Sequence, residues 1–284
     1  MDTILTCDNG IAAIDEIAWA KAQKMTVLVT DHHAVPFEEH EGRRTEKKSL
    51  ADAVVNPHQQ DCRYPYKELC GAGVAWNVIR VLYENYDMDK REAEDLLDFV
   101  AMATVCDVMS LTGENRILVK EGLKRIRHTK NIGLQALMQA CNVQPENISA
   151  YHFGYVLGPC VNATGRLDTA RHALRLFETG QETEAEEIAR DLVDLNQERK
   201  ELTLQGVEMA KKLCEEGGYE NDPVLVLFLP DVHESIAGLI AGRIREAYQR
   251  PVFVLTRGEE GVKGSGRSIE AYSMFDKMTE VAEL

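Results

Sequence analysis

Short apolar runs that end in polar turns alternate with helical patterns along the first sixty residues. Three runs are predicted strands, each followed by polar residues: Thr3–Cys7 by Asp8-Asn9-Gly10, Thr26–Thr30 by Asp31-His32-His33, and Asp52–Val55 by Asn56-Pro57-His58. The helical pattern Ala12–Gln23 separates the first two runs. Strands separated by helices predict a parallel sheet, and functional groups gather at the carboxyl ends of such strands.

The rest of the chain predicts more helices and then a second small domain. Helical patterns follow at Gly73–Tyr86, Glu92–Thr104 and Asn115–Arg127, and the charged helical stretch Asp168–Glu216 suits a long connector. Beyond it come two strands, a helix and a glycine-rich segment: Val224–Leu229, Val252–Thr256, Ile236–Tyr248 and Lys263–Ser268. We therefore expect an α/β protein with a parallel-sheet domain at 1–170, a helical connector at 171–217 and a smaller α/β domain at 218–284.

Composition indicates a folded protein outside the membrane. Hydrophobic residues make up 44% and charged residues 28% of the 284 residues, as in soluble globular proteins. No apolar run approaches the roughly 20 residues of a membrane span, and the first residues do not resemble a signal peptide. The seven cysteines lack the paired spacings of a disulfide framework or a zinc site. We expect a cytoplasmic protein without a membrane partner.

The net charge of −15 argues against broad electrostatic coating of DNA, because proteins that bind DNA in that way carry a basic face. Acidic residues are dense from Glu178 to Glu201. Basic residues are concentrated in the last quarter, at Arg243, Arg245, Arg250, Arg257, Lys263 and Arg267. A local phosphate site there is compatible with this distribution.

Five candidate residues carry oxygen or imidazole donors: Asp8, Asp31, His32, His33 and Asp107. Hard or borderline divalent ions such as Mn²⁺ accept this mixture of donors. Two ions about 4 Å apart would activate a water molecule and stabilise the leaving oxygen of a phosphodiester. The plain alternative for the Asp-His-His tripeptide alone is a polar turn after a strand.

A series of motifs resembles the DHH phosphoesterases, and within them the RecJ branch of single-strand-specific 5′ exonucleases. Val29-Thr30-Asp31-His32-His33 matches the motif that names the family, and Cys7-Asp8-Asn9-Gly10 resembles its Asp-Cys-Gly segment, with Asn9 where cysteine is usual. Further similar segments are Val54-Val55-Asn56-Pro57, Tyr64–Leu69, Gly71–Ala75, Thr104–Val108 and Leu111–Arg116. The resemblance implies a DHH domain, incomplete at its N-terminus, joined by the connector to a DHH-associated domain, incomplete at its C-terminus.

The resemblance also implies roles for the candidate residues. Asp8 would bridge two manganese ions, and His32 and Asp107 would bind one of them. His33 would contact or orient the scissile phosphate, and Asp31 would hold an imidazole in the right tautomer. Mn²⁺, with Mg²⁺ as the other candidate, would be the cofactor.

Two segments are implied to bind substrate phosphate. Gly158–Leu167 resembles a RecJ motif in which arginine is common at Cys160, and it keeps Asn162 and Arg166. The second segment, Gly264-Ser265-Gly266-Arg267-Ser268, resembles the signature with which the DHH-associated domain grips a 5′ end, although alone it would indicate a glycine-rich turn. His233 opens a RecJ-like segment, with Val232 where tryptophan is usual, and is a weaker substrate-side candidate.

The resemblance implies 5′ to 3′ exonuclease activity on single-stranded DNA with a 5′ phosphate, in DNA repair and recombination. DHH enzymes also use two upstream aspartates, and the RecJ branch a downstream Gly-Gly-His segment and barrel, none of which is found here. We therefore expect a fragment of a longer protein, with weak or no nuclease activity by itself. The alternatives are a phosphodiesterase acting on short oligonucleotides, cyclic dinucleotides or pyrophosphate, a nucleic-acid-binding relative without metals, and a purely structural protein.

Overall fold

The computed structural model describes residues 2–40, 43–167, 169–258 and 261–281. Its first sheet has three parallel strands, which lie side by side in the order β1 (Thr3–Cys7), β2 (Thr26–Thr30) and β5 (Ala53–Val55). Helix α1 (Ile14–Ala22) connects β1 to β2, and its Ile17 and Ala20 pack on Val27 and Val29. The predicted parallel sheet is therefore confirmed.

An antiparallel hairpin between β2 and β5 was not predicted. It consists of β3 (Phe37–His40) and β4 (Arg43–Glu46). Its strands are mostly charged and lack an apolar alternation, which removes the usual sequence signal of a strand. The guanidinium of Arg44 lies 4.4 Å from the centre of the Phe37 ring, a cation–π contact within the hairpin.

Several helices follow β5, and buried residues of three of them form a second core. The helices are α2 (Gly71–Asn85), α3 (Lys90–Asp95), α4 (Leu97–Cys106), α5 (Gly113–Arg125), α6 (Ile132–Ala140) and α7 (Ala150–His152), with a π-helix at Phe153–Leu157 and 3-10 turns at Ile126–His128 and Pro145–Asn147. The predicted helix Glu92–Thr104 is two helices, because α3 ends at Asp95 and α4 begins at Leu97. Helix α4 is apolar on most sides and packs with Trp76 and Leu118. Its C-terminal end carries Asp107.

The C-terminal part of the chain contains a second three-stranded sheet and several helices. The elements are α8 (Gly158–Leu167), α9 (Ala170–Glu178), α10 (Glu182–Gly217), a 3-10 turn at Tyr219–Asn221, β6 (Leu225–Phe228), α11 (Glu234–Tyr248), β7 (Val252–Gly258), β8 (Gly261–Arg267) and α12 (Met274–Glu280). Strand β6 is parallel to β7 and β8 is antiparallel to it. The glycine-rich segment is therefore mostly a strand rather than a turn. Buried residues of α10, α11, β6 and β7 form one core.

The chain divides into two units, Met1–Gly158 with Gly180–Glu182 and Pro159–Thr179 with Thr183–Leu284. The domain limits at residues 170 and 217 stay predictions. No helix within the described ranges combines the length and apolar composition that a membrane span needs.

Candidate functional site

Each strand of the first sheet ends in a polar residue at the same edge. Asp8 follows β1, Asp31 follows β2 and Asn56 follows β5. The ladder of backbone hydrogen bonds continues into this edge, because the Asp8 N–H donates to Thr30 O (3.0 Å) and the Asp31 N–H to Val55 O (3.0 Å). The backbone of the site is therefore fixed by the sheet itself.

Asp31 is the buried hub of this edge. Its Oδ2 accepts the Ile11 N–H (2.9 Å), and its Oδ1 accepts the His32 N–H (2.7 Å), the His33 N–H (3.2 Å) and lies 2.7 Å from Nδ1 of His33. Burial alone would raise the pKa of Asp31, but these hydrogen bonds outweigh it and hold the pKa below the ordinary value. The bond to Asp31 raises the pKa of His33.

His32 brings the carboxylates together. Its buried Nε2 lies 3.0 Å from Oδ1 of Asp8 and 3.4 Å from Oδ2 of Asp107, yet it has no hydrogen-bond partner among the described residues. Asp8, His32 and His33 offer ligand atoms within 4.8 Å of one another. A buried imidazole nitrogen without a hydrogen bond, beside two carboxylates, fits a divalent cation such as Mn²⁺ or Mg²⁺.

Asp107 reaches this position as the residue that ends α4. Burial raises the pKa of its carboxyl, and the negative charge of Asp8 adds to the shift. Like charges that converge at one point repel each other, and a bound cation would remove that cost. We call Asp8, Asp31, His32, His33 and Asp107 the carboxyl-edge cluster.

The backbone around the carboxyl-edge cluster is strained and tightly packed. Asp8 has φ 63°, and Val108, which follows Asp107, has φ 57°, a left-handed conformation that is costly for a β-branched residue. An ideal Cβ on Gly71, the first residue of α2, would overlap the Asp8 carboxylate, at 2.5 Å from its Cγ. Any side chain at Gly71 would therefore displace this carboxylate.

The sequence analysis assigned no role to two residues that position this cluster. Asn56 is buried, its Nδ2 donates to His33 O (2.9 Å), and its Oδ1 accepts the His58 N–H (2.8 Å). Its place after a predicted strand was a usable signal, because that position shares the edge with Asp8 and Asp31. The close approach of Gly71 to Asp8 left no signal, since the two residues are distant in sequence.

A second group lies where β8 meets the start of α11. An ideal Cβ on Gly238 of α11 would lie 2.7 Å from both Nη2 of Arg267 and Oγ of Ser265, so these side chains cover the helix. His233 caps α11, and its Nδ1 accepts the Ser235 N–H (3.3 Å). Nη1 of Arg267 donates to Ser265 Oγ (3.2 Å) and Gly266 O (2.8 Å). We call His233, Ser235, Ser265 and Arg267 the strand–helix cluster.

The other residues of the glycine-rich signature lie differently. Ideal Cβ atoms on Gly264 and Gly266 would meet Leu255 and Met274, on the face of β8 away from Gly238. The Ser268 hydroxyl donates to Tyr272 O and accepts the Met274 N–H (3.0 Å). Ser265 and Arg267 are therefore the members of the signature that face α11.

A cleft of about 740 Å³ is lined both by the RecJ-like segment on α8 and by Ser235 of the strand–helix cluster. Asn162, Thr164 and Gly165 line it together with Ser235. Cys160 is buried and accepts a hydrogen bond from Asn196 Nδ2 (3.4 Å), so it faces the interior. The side chain of Arg166 lies outside the described part of the chain.

With both clusters defined, comparison with known proteins identifies the class. Residues 2–104 match the model of the DHH family, N-terminal domain. That range includes four of the five residues of the carboxyl-edge cluster. Residues 2–104 therefore carry the DHH-family domain, in agreement with the predicted resemblance.

Several relatives are named RecJ. The chain is 36% identical over 291 residues to the single-stranded-DNA-specific exonuclease RecJ of Haemophilus influenzae, covering 98% of this chain and 49% of that protein. Crystal structures of RecJ from Thermus thermophilus in complex with Mn²⁺ and with Mg²⁺ match it with TM-scores of 0.83 and 0.77. The identities are 32% and 31%, and the matches cover all of this chain and 40% and 38% of those chains. The chain thus spans about half the length of curated relatives that it matches.

Proposed function

We propose that this protein is a metal-dependent 5′ to 3′ exonuclease of single-stranded DNA that acts in the cytoplasm in DNA repair and recombination. The observation that carries the proposal is the buried Nε2 of His32, which lacks a hydrogen-bond partner among the described residues and stands beside Asp8 and Asp107. Support comes from relatives named single-stranded-DNA-specific exonucleases and from RecJ structures that hold Mn²⁺ or Mg²⁺.

In this proposal Asp8, His32 and Asp107 would hold the metal, in a site for two ions. Bound Mn²⁺ or Mg²⁺ supplies an activated water molecule and charge stabilisation at the leaving oxygen. We further propose that the 284-residue chain, which spans about half the length of its curated relatives, has weak or no nuclease activity by itself.

His33 and Asp31 act as a positioned pair. Because Nδ1 of His33 faces Asp31, its Nε2 is available to a phosphate oxygen. The raised pKa of His33 favours the imidazolium, which donates a hydrogen bond from Nε2. The Asn56 side chain donates a hydrogen bond to the backbone carbonyl of His33, which fixes the backbone from which the His33 ring extends.

The strand–helix cluster is proposed to bind the 5′ phosphate. Its parts suit an anion: a guanidinium from Arg267, hydroxyls from Ser235 and Ser265, and the N-terminus of a 15-residue helix. Asn162 in the adjoining cleft is proposed to contact the first nucleotide, and Arg166, Gly264, Gly266, Ser268 and His233 stay predicted substrate residues.

The test measures the melting temperature with and without Mn²⁺ in the original chain, in Asp107→Ala and in the control Asp15→Ala, which removes an exposed carboxylate of α1. We expect Mn²⁺ to raise the melting temperature of the original chain and the control but not of Asp107→Ala. An equal shift in all three would contradict the metal assignment. Strong nuclease activity of this chain, abolished by Asp107→Ala, would refute the prediction that the chain by itself is weak or inactive. It would support the proposed metal-dependent exonuclease.

A further inference from the structure

Two tyrosines are stacked on the surface of the first unit. The ring centres of Tyr151 and Tyr155 lie 5.1 Å apart, with 24° between the planes, and the residues are 63% and 73% exposed. Aromatic side chains contribute most to folding when they are buried, so folding alone does not account for an exposed stack. We call these two residues the tyrosine pair.

The backbone beneath the tyrosine pair is unusual. Tyr155 is the middle residue of the π-helix Phe153–Leu157, whose first and last side chains are fully buried. A π-helical turn is rare and occurs frequently at functional sites. The ring centres of Tyr151 and His152 lie 5.8 Å apart with the planes nearly perpendicular. Nδ1 of His152 accepts the Ser149 N–H (3.1 Å). These contacts fix the orientation of the stack.

The π-helix packs on the last turn of α4, which carries Asp107. An ideal Cβ on Gly154, next to Tyr155, would lie 3.4 Å from Cγ1 of Val105. Cys106 Sγ–H donates to Phe153 O (3.4 Å). The π-helix that carries Tyr155 therefore contacts the end of α4, and this end supplies Asp107 to the carboxyl-edge cluster.

We propose that the tyrosine pair is a stacking platform for nucleobases of the single strand cleaved at the carboxyl-edge cluster; this inference rests on the proposed function. Carboxylates at that cluster repel DNA phosphates wherever no cation intervenes, whereas uncharged tyrosine rings attract the faces of bases. Stacking tolerates every base, which suits an exonuclease. Bases of a duplex are already stacked on each other, so the platform favours unpaired strands.

The first arm of the test measures the Kd of a 5′-phosphorylated single-stranded oligonucleotide in EDTA, which prevents hydrolysis. Tyr155→Ala is expected to weaken binding by about 5- to 150-fold, the fold-change that corresponds to about 1–3 kcal/mol per stacked base. Tyr155→Phe keeps the ring and is expected to bind within about twofold of the original protein. The control Tyr86→Ala removes a tyrosine that is 74% exposed at the end of α2, and binding should not change.

The second arm repeats the measurement with oligonucleotides that lack a single base at successive positions. Removal of the base at one or two of these positions should weaken binding by the original protein as much as Tyr155→Ala does. The same removal should have no further effect on binding by Tyr155→Ala. Unchanged binding by Tyr151→Ala/Tyr155→Ala, with binding weakened by Arg267→Ala, would overturn only the platform. Undetectable binding by the original protein both in EDTA and with Mn²⁺ would overturn the proposed function and the platform with it.

Discussion

The carboxyl-edge cluster and the strand–helix cluster are built in opposite ways. In the first, a carboxylate that is 1% exposed receives hydrogen bonds from three backbone N–H groups and a histidine, and the surrounding backbone is strained. In the second, the long side chain of Arg267 lies over Gly238 and is held by Ser265 and a backbone carbonyl. Buried hydrogen bonds hold the carboxyl-edge cluster in place, whereas the strand–helix cluster consists of side chains at the surface.

The difference agrees with the ligands that we propose. A divalent ion accepts donors only within a few tenths of an ångström of its preferred distance, so the donors must be fixed before it binds. A terminal phosphate has three equivalent acceptor oxygens, and a flexible guanidinium can move to donate hydrogen bonds to them. We therefore expect small changes to harm the first cluster more than the second.

The largest expected effect is that of Gly71→Ala. The new Cβ would overlap Oδ1 of Asp8 and lie 2.5 Å from its Cβ, so the carboxylate must move. Loss of groups that orient a ligand lowers metal affinity about 10- to 100-fold, and displacing the ligand itself should cost at least about 100-fold. Mn²⁺ titration by calorimetry measures the change.

Gly73→Ala is the matched control, in the same buried turn of α2. Its nearest contact would be an ordinary 3.4 Å to Leu69. Comparable loss of Mn²⁺ affinity in both variants would show that the helix, rather than Asp8, is responsible.

The second effect is that of Asp31→Asn. An amide cannot accept at both ends, so either the Ile11 N–H or the N–H groups of His32 and His33 lose their acceptor. An unsatisfied buried group costs about 1–3 kcal/mol, and we expect the free energy of unfolding to fall by about 2 kcal/mol. Urea denaturation measures it, and an unchanged midpoint would refute the role of Asp31 as hub.

Gly238→Ala should have a smaller effect, on the strand–helix cluster. The new Cβ would meet Nη2 of Arg267 and Oγ of Ser265 at 2.7 Å, but a flexible guanidinium can shift. We expect affinity for a 5′-phosphorylated oligonucleotide to fall by about tenfold, the equivalent of about 1.4 kcal/mol. Fluorescence anisotropy measures this.

Gly242→Ala is the control in the same helix, because its Cβ would meet nothing within 4 Å. It should keep the affinity and raise stability by about 1 kcal/mol. A loss of affinity in Gly238→Ala greater than that caused by Gly71→Ala in the metal titration would reverse the comparison of the two clusters.

The smallest effect concerns Asp98, which is buried like Asp31 but lies in α4, with its carboxylate bonded to Thr129 (2.7 Å). Burial raises its pKa above 3.8, so the folded state binds the proton more tightly than the unfolded chain. Stability therefore falls as pH rises from 3.8 through the folded pKa. Asp98→Asn should gain up to about 1 kcal/mol at neutral pH and lose this pH dependence, because Oδ1 keeps the Phe99 N–H and the Thr129 hydroxyl, unlike a backbone N–H, can accept from the new Nδ2–H. Melting curves recorded from acidic to neutral pH would refute this if the two proteins changed in parallel.

Prediction from the sequence succeeded where local pattern decides structure. Strands β1 and β2 have the predicted bounds, because short β-prone runs between turn residues have few alternatives. The hairpin β3–β4 and the π-helix gave no such signal, since charged strands lack an apolar alternation and a five-residue π-helix is too short to set a period of its own. The donors were predicted as a set, and so was an imidazole held by Asp31, whereas the backbone N–H groups that donate to Asp31 and the support from Asn56 were not.

The sequence by itself determined the parallel sheet, the donor residues at its edge and the family motifs, because periodicity and residue chemistry are local properties. Only the tertiary structure decided that Gly71 presses on Asp8, that His32 Nε2 is buried without a hydrogen bond from any described residue, and that Arg267 lies over Gly238. Each of these contacts joins residues far apart in the chain. Their distances follow from how helices pack against sheets, which no single stretch of sequence specifies.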